Sequence, residues 1–371
     1  MKRLLLVGGG HSHVEVIRRF GLHPPAGVRV TVVSPGRHTP YSGMLPGLVA
    51  GHYAFDDCHI DLDRLCRKAN VEFVPGTVAA LDLARNEAVC ADGRRIAFEI
   101  ASVDTGSVPV ADTPGARQHA IGIKPVAGFL TAWSAVLEQA RAGAEPLRIA
   151  VVGGGAGGVE ILLAMERHLR ATLPDRRPAP EFALITDSET LLPSHPRRVQ
   201  AIFTRIFRER GIALHAGSGV MQVEPGLLRM SDGSTVATDW TVWVTGAAAP
   251  AWPRASGLAV DARGFIQVDA SLRSVSHRNV FAAGDIASMA GHPHPKSGVY
   301  AVRQGPPLAH NLRAAIAGEP PVRYHPQPRA LALISAGDRY AVASYAGLCV
   351  EGGWVWRWKD RIDRAFMTRY R

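Results

Sequence analysis

The chain has 371 residues, of which 47% are hydrophobic, and it carries a formal net charge of +10. This length and apolar content allow two domains with a sizeable core and exclude a disordered chain. No recognition helix, zinc finger or RNA-binding signature accompanies the positive charge, so nucleic acid is not an expected partner. No uninterrupted apolar stretch reaches the roughly 18 to 20 residues that a membrane-spanning helix needs.

The N-terminal stretch has the pattern of a strand, a glycine turn and a helix. Residues 4–7 (Leu-Leu-Leu-Val) suit a short buried parallel strand, and residues 14–20 have helical spacing. The three glycines at 8–10 between them let the backbone approach a pyrophosphate, which the free N–H groups of a helix start would bind. The third glycine position of this dinucleotide-binding pattern is His13, so the motif alone is weak and also fits a turn without a ligand.

A second strand is predicted at residues 28–33, and its end departs from the same pattern. Dinucleotide-binding units place an acid there to bind the ribose hydroxyls, whereas this chain has Ser34, a weaker acceptor. Residues 35–53 are predicted to form a long functional loop whose apolar side chains keep it ordered.

The next segment completes one unit. A helix is predicted at residues 61–69, a strand at 71–74, and an antiparallel piece with an Asp-Gly turn at 78–99. A further strand runs over residues 100–107 and ends in Thr-Gly. A loose, proline-containing stretch then forms a candidate hinge before a predicted helix at residues 126–144.

The opening pattern returns at residues 147–166, where glycine now fills all three positions. A strand at residues 182–185 ends near Asp187, which is a candidate ribose-binding acid. A second Asp-Gly turn follows, and then a second strand that ends in Thr-Gly, at residues 240–246. The repeated order predicts an internal duplication of a nucleotide-binding unit, which is far more specific than either glycine loop alone.

The C-terminal third contains one more carboxylate at a strand end. Residues 279–287 (Asn-Val-Phe-Ala-Ala-Gly-Asp-Ile-Ala) predict an apolar strand that places Asp285 at the edge of a sheet, and a helix is predicted at 307–317. Residues 352–371 alternate aromatic and cationic side chains, with strand-like spacing before Lys359 and helical spacing after it. Such a segment suits a membrane interface or a terminal strand and helix that close the core, and we favour the second.

These motifs together resemble the pyridine nucleotide-disulfide oxidoreductase superfamily. The resemblance rests on two glycine loops, two Thr-Gly strand ends and Ala-Ala-Gly-Asp at 282–285, and it extends to about residue 318. Within the superfamily the chain looks similar to type II NADH dehydrogenases and sulfide:quinone reductases. Residues 39–47, 298–307 and 354–370 look more similar still to the branch associated with selenide, water dikinase.

The resemblance implies an α/β fold with two Rossmann-like dinucleotide-binding domains, each with a small antiparallel β element, and a C-terminal β/α segment. The FAD-binding domain would comprise residues 1–122 and 264–325, with an NAD(P)-binding domain at 123–263 inserted in it. Residues 326–371 would form an interface or membrane-contact segment. NADH is favoured over NADPH because of the acid at 187.

The implied function is that of an FAD-dependent NAD(P)H oxidoreductase, which passes electrons through the flavin to a quinone or another small acceptor. A redox-active disulfide is not expected, because residues 40–51 lack the close cysteine pair of the disulfide enzymes. A sulfur-handling pair of Cys58 and Cys349 is disfavoured. All four cysteines are expected to be reduced and mostly buried, namely Cys58, Cys66, Cys90 and Cys349.

Three residues are catalytic candidates by this resemblance. Lys124 and Lys296 would stabilise the anionic reduced flavin, and Glu160 would line the nicotinamide pocket. The simpler alternatives are a solvated hinge lysine, a helix start that acts without its lysine, and a first-turn acid stabilised by the helix dipole. The positions that match a quinone pocket are Tyr300, Arg303 and Gln304.

The remaining site predictions concern the cofactors. The histidines near the first loop, His11, His13 and His38, are expected to be phosphate-proximal or loop residues, and no metal site is predicted because no further ligand types surround them. The predicted cofactor-binding residues are Gly8, Gly9, Gly10, His11, Ser12, His13, Ser34, Pro35, Arg37, Ser42, Gly43, Met44, Thr105, Gly106, Gly153, Gly155, Ala156, Gly158, Asp187, Thr245, Gly246, Gly284, Asp285, Lys296 and Ser297.

Two other functions stay open at this point. One is a sulfur- or selenium-compound oxidoreductase of the sulfide:quinone reductase type, and the other is a flavin-bound sensor or assembly partner with little turnover. A cytoplasmic location is expected, with peripheral contact to the inner face of the plasma membrane through the C-terminus as one option. A homodimer is a further option.

Overall fold

A computed structural model describes residues 1–143, 145, 147–173 and 178–371 of the chain. The strands in chain order are β1 Lys2–Val7, β2 Val28–Ser34, β3 His38–Pro40, β4 His59–Asp61, β5 Glu72–Pro75, β6 Val78–Asp82, β7 Glu87–Cys90, β8 Arg95–Ala97, β9 Ile100–Val103, β10 Val108–Pro109, β11 Ile121–Gly122, β12 Arg148–Val152, β13 Glu181–Ile185, β14 Ala213–His215, β15 Val220–Glu224, β16 Leu227–Met230, β17 Thr235–Ala237, β18 Trp240–Trp243, β19 Ala247–Ala248, β20 Ile266–Val268, β21 Val280–Ala282, β22 Ala287–Met289, β23 Ala332–Ser335, β24 Ala341–Tyr345 and β25 Leu348–Gly352.

Helices connect many of these strands. They are α1 His11–Leu22, α2 Leu45–Val49, α3 Phe55–Cys58, α4 Leu62–Lys68, α5 Ala116–His119, α6 Val126–Ala142, α7 Ala156–Thr172, α8 Arg197–Glu209, α9 Trp252–Ala255, α10 Gly298–Ala317 and α11 Gly353–Thr368, with 3₁₀ turns at Ser42–Met44 and Gly284–Ile286.

Two parallel sheets of five strands form the centre of the molecule. The first has the order β21-β9-β1-β2-β5, and the second has the order β11-β18-β12-β13-β14. The strands that precede the glycine loops, β1 and β12, are central in both, because their apolar side chains are covered on both faces. Each unit also has a three-stranded antiparallel sheet, β6-β7-β8 or β15-β16-β17. The predicted fold class of two Rossmann-like units is therefore confirmed.

The second unit is inserted into the first. Strand β21 completes the first sheet beside β9, although all strands of the second sheet precede it in the chain. The short strands β10 and β19, each just after a Thr-Gly turn, pair with each other and so join the two units. Strand β11, which the predicted boundary at residue 122 assigns to the first domain, is the edge strand of the second sheet.

Strand order reverses beside each glycine loop. In the first unit β1 has β2 on one side and β9 on the other, and in the second unit β12 lies between β13 and β18. Open parallel sheets bind ligands in the crevice at this point, outside the carboxyl ends of the strands. The duplicated sequence motifs therefore lie where two dinucleotides would bind.

Three predicted elements differ in the structure. Residues 35–53 are not one long loop but contain β3 and α2, and α10 begins at Gly298 and continues through Pro306 and Pro307. The strand predicted before Lys359 is part of helix α11. Its alternating tryptophans suggested a strand, but packing against β24 and β25 buries positions with helical spacing. Helix α6 ends at Ala142, and Ala144, the last residue of the predicted helix, lies outside the described residues.

The C-terminal segment combines the antiparallel sheet β23-β24-β25 with α11. Helix α11 buries an apolar face in the same core as the first sheet, with Val355, Trp356, Phe366 and Met367. In the part of the chain that the structure describes, no helix has the length and apolar character needed to cross a membrane.

Candidate functional site

A cavity of about 670 Å³ lies between the two units. Its walls come from the second glycine loop, from the Thr-Gly end of β18, and from the first unit around Asp285. Ten of the predicted site residues line it, namely Ser42, Lys124, Gly153, Gly155, Glu160, Asp187, Thr245, Gly246, Asp285 and Lys296. Residues of both units thus meet in one cleft.

The first glycine loop is closely packed against the protein interior. Gly8 has φ +93°, and a Cβ there would lie 2.5 Å from the carbonyl oxygen of Asp104. A Cβ on Gly9 would lie 2.3 Å from the Leu62 side chain, and Thr39 Oγ1 donates to the Gly9 carbonyl at 2.6 Å. Side chains are therefore excluded from the turn, as backbone contact with a pyrophosphate requires.

Asp104 is a site residue that sequence analysis missed. It follows β9, is 2% exposed, and its Oδ2 accepts the N–H groups of Ser12 at 2.9 Å and His13 at 3.1 Å. Burial raises the pKa of the Asp104 carboxyl to about 7, although the two N–H donors act in the opposite direction, and the Asp285 charge raises it further. A polar residue directly before Thr105 was the available signal.

The two histidines of the first loop differ in their surroundings. His13 is fully buried, and its ring nitrogens contact the Gly8 carbonyl at 2.7 Å and Ser102 Oγ at 2.8 Å, so neither is left for a ligand. His11 Nε2 is buried and has no hydrogen-bond partner among the residues that the structure describes, and its ring lies 5.6 Å from that of Tyr41. Burial lowers the pKa of both imidazoles to about 4, so both are neutral at pH 7.

The predicted residues after β2 have different positions. Ser34 is buried beneath Gly9, whereas Pro35 is exposed and Arg37 forms a surface ion pair with Asp61. Ser42 reaches the cleft, and Met44 belongs to the core. The carbonyl oxygen of Gly43 accepts the ammonium group of Lys359 at 2.6 Å, a contact between residues 316 positions apart.

The side chains of Lys124, Ser107 and Asp285 are mutually hydrogen-bonded at the cleft. Lys124 Nζ lies 2.9 Å from Asp285 Oδ2 and 3.0 Å from Ser107 Oγ, and Ser107 Oγ donates to Asp285 Oδ2 at 3.1 Å. Ser107 follows the predicted Thr105 and Gly106, and Gly284 has its N–H bonded to Gln304 Oε1 at 2.6 Å. The segment that leads into the second unit is thus bound to the Gly-Asp turn of the first.

The second glycine loop satisfies the close packing that its sequence predicts. A Cβ on Gly153 would lie 2.3 Å from the Val244 carbonyl oxygen, and one on Gly158 would lie 1.9 Å from the Gly153 carbonyl oxygen. Ala156 begins α7, and the N-terminus of that helix has no side-chain cap. Asp187 is exposed just after β13, at the edge of the same cleft. These features suit the diphosphate and ribose of a dinucleotide.

Lys296 and Ser297 precede helix α10. Lys296 donates to the Ala287 carbonyl oxygen, and its ammonium group lies 4.2 Å from the centre of the Phe265 ring. Burial lowers the pKa of this ammonium group to about 8, while the Asp285 charge raises it. Ser297 is the N-cap position of α10, and the first residue of that helix packs against Ser42, where a Cβ on Gly298 would lie 3.2 Å from Ser42 Oγ.

Glu160 lies within the electrostatic influence of a buried ion pair on the C-terminal helix. Glu160 lies beyond the first turn of α7 and accepts the Ser335 N–H at 2.8 Å. Burial raises the pKa of its carboxyl to about 7, although the nearby Lys359 charge lowers it. Lys359 pairs with Asp363 at 2.7 Å, and burial raises the pKa of the Asp363 carboxyl as well, against the effect of Lys359 and a Tyr41 hydrogen bond.

The cysteines lie apart from the cleft. All four are free and buried, and none lines the cavity. Burial raises the pKa of the Cys58 and Cys66 thiols to about 12. Among the described residues, no group of three or more His, Cys, Asp or Glu side chains is placed to hold a metal ion.

The arrangement of two duplicated units around one cleft agrees with a comparison of the sequence with models of known protein families. The model of the pyridine nucleotide-disulphide oxidoreductase family matches residues 2–305. The chain belongs to this family. The superfamily resemblance noted from the motifs is therefore confirmed.

Several proteins with assigned names are similar in sequence to the chain over most of its length. It is 24% identical to the NADH dehydrogenase-like protein YutJ of Bacillus subtilis, over 86% of this chain and 85% of that protein. It is also 24% identical to demethylphylloquinone reductase NdbB of Synechocystis, over 94% of this chain and 88% of that protein. The structure of the sulfide:quinone oxidoreductase from Aquifex aeolicus superposes on the chain with a TM-score of 0.83 at 20% sequence identity. The superposition covers all of this chain and 92% of the other, and it shows that the two proteins share a fold.

The residues of the first unit fit the FAD that this family implies. The turn at Gly9 admits backbone but no side chain, and His11 Nε2 is a buried polar atom that no other described residue satisfies. Ser107 and Asp285 of the first unit place a hydroxyl and a carboxylate at the cleft, and Lys124, from the segment that leads into the second unit, brings an ammonium group to them. The second unit offers a matching loop for a nicotinamide dinucleotide.

Proposed function

We propose that this protein is an FAD-dependent NADH dehydrogenase that passes electrons to a quinone or another small acceptor, without a redox-active disulfide. The observation that carries the proposal is the shared cleft, in which the second glycine loop lies with Asp285 and Lys296 of the first unit and with Lys124 of the segment that leads into the second unit. Dinucleotides bound to the two units would extend their reactive rings into the same space. Relatives named as NADH dehydrogenase-like and as a quinone reductase support this choice of reaction.

The first unit would hold FAD at the glycine loop of residues 8–10 and at Asp285. Bound FAD supplies the redox chemistry, accepting a hydride and releasing electrons, while the protein supplies orientation and charge. Lys124 and Lys296 bring two ammonium groups to the cleft, where electron transfer adds negative charge. Their role is to stabilise that charge and to hold the Gly-Asp turn in place.

The second unit would hold NADH. The N–H groups at the start of α7 would bind its diphosphate, and Gly153 and Gly158 keep that approach open. Asp187 would accept hydrogen bonds from the adenosine ribose, and its negative charge would disfavour the 2′-phosphate of NADPH. Arg197 and Arg198 begin α8 and would favour the 2′-phosphate of NADPH, so a comparison of NADH with NADPH as reductant decides between the two nucleotides.

The acceptor would be reduced beside α11. Tyr41, Lys359 and Asp363 form a buried polar group there, and the charges of Lys359 and Asp363 act on Glu160 of α7. Quinone reduction consumes protons, and a carboxyl whose pKa is about 7 can hold and release one at neutral pH. Glu160 is therefore assigned the role of holding a proton between the NADH side and the acceptor side of the cleft.

The protein would reach a membrane quinone as a peripheral protein on the cytoplasmic face. Trp354, Trp358 and Ile362 are 51%, 40% and 41% exposed and lie four residues apart along α11. Arg357 and Arg361 are exposed on the same helix, one residue before Trp358 and Ile362. Aromatic side chains next to cations suit the interface of an anionic membrane.

An anaerobic titration of the FAD-loaded protein tests the proposal. NADH should bleach the flavin absorbance faster than NADPH does, and a panel of quinones should then restore it. A protein that stays colourless after reconstitution with FAD would overturn the proposal. Slow bleaching by both nucleotides would favour a flavin-bound sensor instead.

A further inference from the structure

The carboxyl group of Asp104 occupies the space under the first glycine loop. Its Oδ2 takes the N–H groups of Ser12 and His13 in the first turn of α1. A Cβ on Gly10 or on Gly284 would lie 2.3 Å from its Oδ1, so the carboxyl is held between the glycine loop and the Gly-Asp turn. Two segments that would contact the cofactor therefore enclose one acid.

No cation compensates this acid within the described part of the chain. The ion pairs of those residues do not include Asp104, and its Oδ1 receives no hydrogen bond from them. The start of a helix contributes only about half an elementary positive charge. A diphosphate bound at the same helix start would add about two negative charges close to the carboxyl, which disfavours its ionised form strongly.

We propose that Asp104 is the neutral acid whenever the diphosphate of FAD occupies the first glycine loop, so that binding of the cofactor takes up one proton wherever the carboxyl of the ligand-free protein is ionised. An ionised carboxylate beneath the loop would repel the phosphates, whereas the neutral acid carries no charge. Asp104 is thus a positioning residue that senses the diphosphate. The inference rests on the proposed FAD site and adds a proton to its binding equilibrium.

The other titratable groups around Asp104 do not account for this proton uptake. His11 and His13 on α1 have pKa values lowered to about 4 by burial, so they stay neutral above pH 6. Asp285, on the turn after β21, is paired with Lys124, and its charge raises the pKa of Asp104 further. Helix α10 contributes the uncharged Gln304, which binds the Gly284 N–H.

The pH range follows from the pKa of about 7 that burial produces in the absence of a ligand. Below that pH the acid is already protonated, so FAD binding takes up no proton. Above it the ligand-free protein is ionised and the complex is not, so affinity for FAD should fall about tenfold per pH unit. The fall ends only where the acid ionises in the complex.

Calorimetric titration of the full-length apoprotein with FAD tests the proposal without any variant. At pH 8, in two buffers with different ionisation enthalpies, the heats should differ by the amount expected for about one proton taken up. At pH 6 they should agree. FAD binding at pH 8 with no proton uptake would overturn the inference and leave the proposed function intact, whereas absence of FAD binding at every pH would overturn both.

The Asp104→Asn variant identifies the group. Its affinity for FAD, measured by quenching of flavin fluorescence between pH 6 and pH 9, should not depend on pH, and its proton uptake should vanish. Asp112→Asn, at an acid whose side chain is 84% exposed, should behave as the wild-type protein does. Undiminished proton uptake in Asp104→Asn would assign the proton to another group and overturn the inference. If this variant does not fold, the wild-type heats decide.

Discussion

Lys124 Nζ lies 2.9 Å from Asp285 Oδ2, although the two residues are 161 positions apart. Ser107 binds both side chains, so three segments of the chain meet at one point of the cleft. One is the Thr-Gly end of the first unit, one leads into the second unit, and one is the Gly-Asp turn. This contact connects the geometry of the proposed FAD site with the position of the inserted unit.

Replacing Lys124 tests that connection. In Lys124→Met, Asp285 would remain without its cation in the cleft where electron transfer adds negative charge, so flavin reduction by NADH should slow by about tenfold. Rapid mixing under anaerobic conditions measures this rate. Lys124→Arg should retain most of it, and Lys68→Met, on the exposed face of α4, serves as the control. A rate within twofold of the wild-type value in Lys124→Met would remove this role.

Glu160 should make acceptor reduction depend on pH. Burial raises the pKa of its carboxyl to about 7, so the proton-holding form is present below that pH and is lost as pH rises through it. Reoxidation of the reduced protein by a quinone should therefore slow above pH 7. Glu160→Gln should slow that step about tenfold at pH 6 and remove its pH dependence while leaving the NADH step within about threefold. An unchanged pH profile in the variant would refute the assignment.

The same shift makes a prediction about stability. Because the folded state keeps the Glu160 proton up to a higher pH than the ordinary pKa of 4.5, stability should fall as pH rises from about 4.5 to about 7. Glu160→Gln removes this loss, so its free energy of unfolding relative to wild type should increase by about 1–3 kcal/mol between pH 5 and pH 8. Urea unfolding at both pH values measures the difference. An equal difference at pH 5 and pH 8 would contradict it.

The cysteines should be dispensable for turnover. Burial raises the pKa of the Cys58 thiol to about 12 and raises that of Cys349 as well, so neither is a reactive thiolate at neutral pH. The double variant Cys58→Ala, Cys349→Ala should reduce quinones at a rate within twofold of the wild-type protein. Turnover with sulfide or selenium compounds that the wild type shows and the double variant lacks would instead support the chalcogen oxidoreductase alternative.

The exposed aromatic row on α11 should mediate membrane contact. Sedimentation with vesicles that contain roughly 30% anionic lipid should fall at least about fivefold in Trp354→Glu, Trp358→Glu, and it should weaken with added salt. Met221→Glu is a matched control, because Met221 is 61% exposed but lies on β15 of the second unit. Equal sedimentation of the double variant and the control would exclude this surface.

Local patterns in the chain were sufficient for the architecture. Strand, glycine turn and helix are adjacent in sequence, as are the Asp-Gly and Thr-Gly turns, so their repetition predicts two nucleotide-binding units. Local patterns gave the wrong prediction where tertiary packing decides the spacing of the buried residues. The alternating tryptophans of α11 suggested a strand, yet the helix buries Val355, Lys359 and Asp363, which lie four residues apart.

Several polar groups of the site had no such signal. Asp104 lies at a strand end whose recognisable sequence pattern is the Thr-Gly that follows it. Its contacts with Ser12 and His13 span about ninety residues. The hydrogen bond from Lys359 to the Gly43 carbonyl joins the C-terminal helix to the 3₁₀ turn after β3, and Lys359 also pairs with Asp363 on its own helix. Such contacts depend on which surfaces the two sheets leave open, and no spacing along the chain encodes that directly.

The amino-acid sequence by itself determined that this protein has two duplicated dinucleotide-binding units, a late carboxylate at Asp285 and no cysteine pair for a disulfide relay. Only the tertiary structure decided that Lys124 pairs with Asp285, that Glu160 faces the C-terminal sheet, and that the carboxyl group of Asp104 is buried beneath the first loop. The reason is physical. Glycine turns act on the backbone near them, whereas charge and protonation depend on burial and on partners brought together by folding.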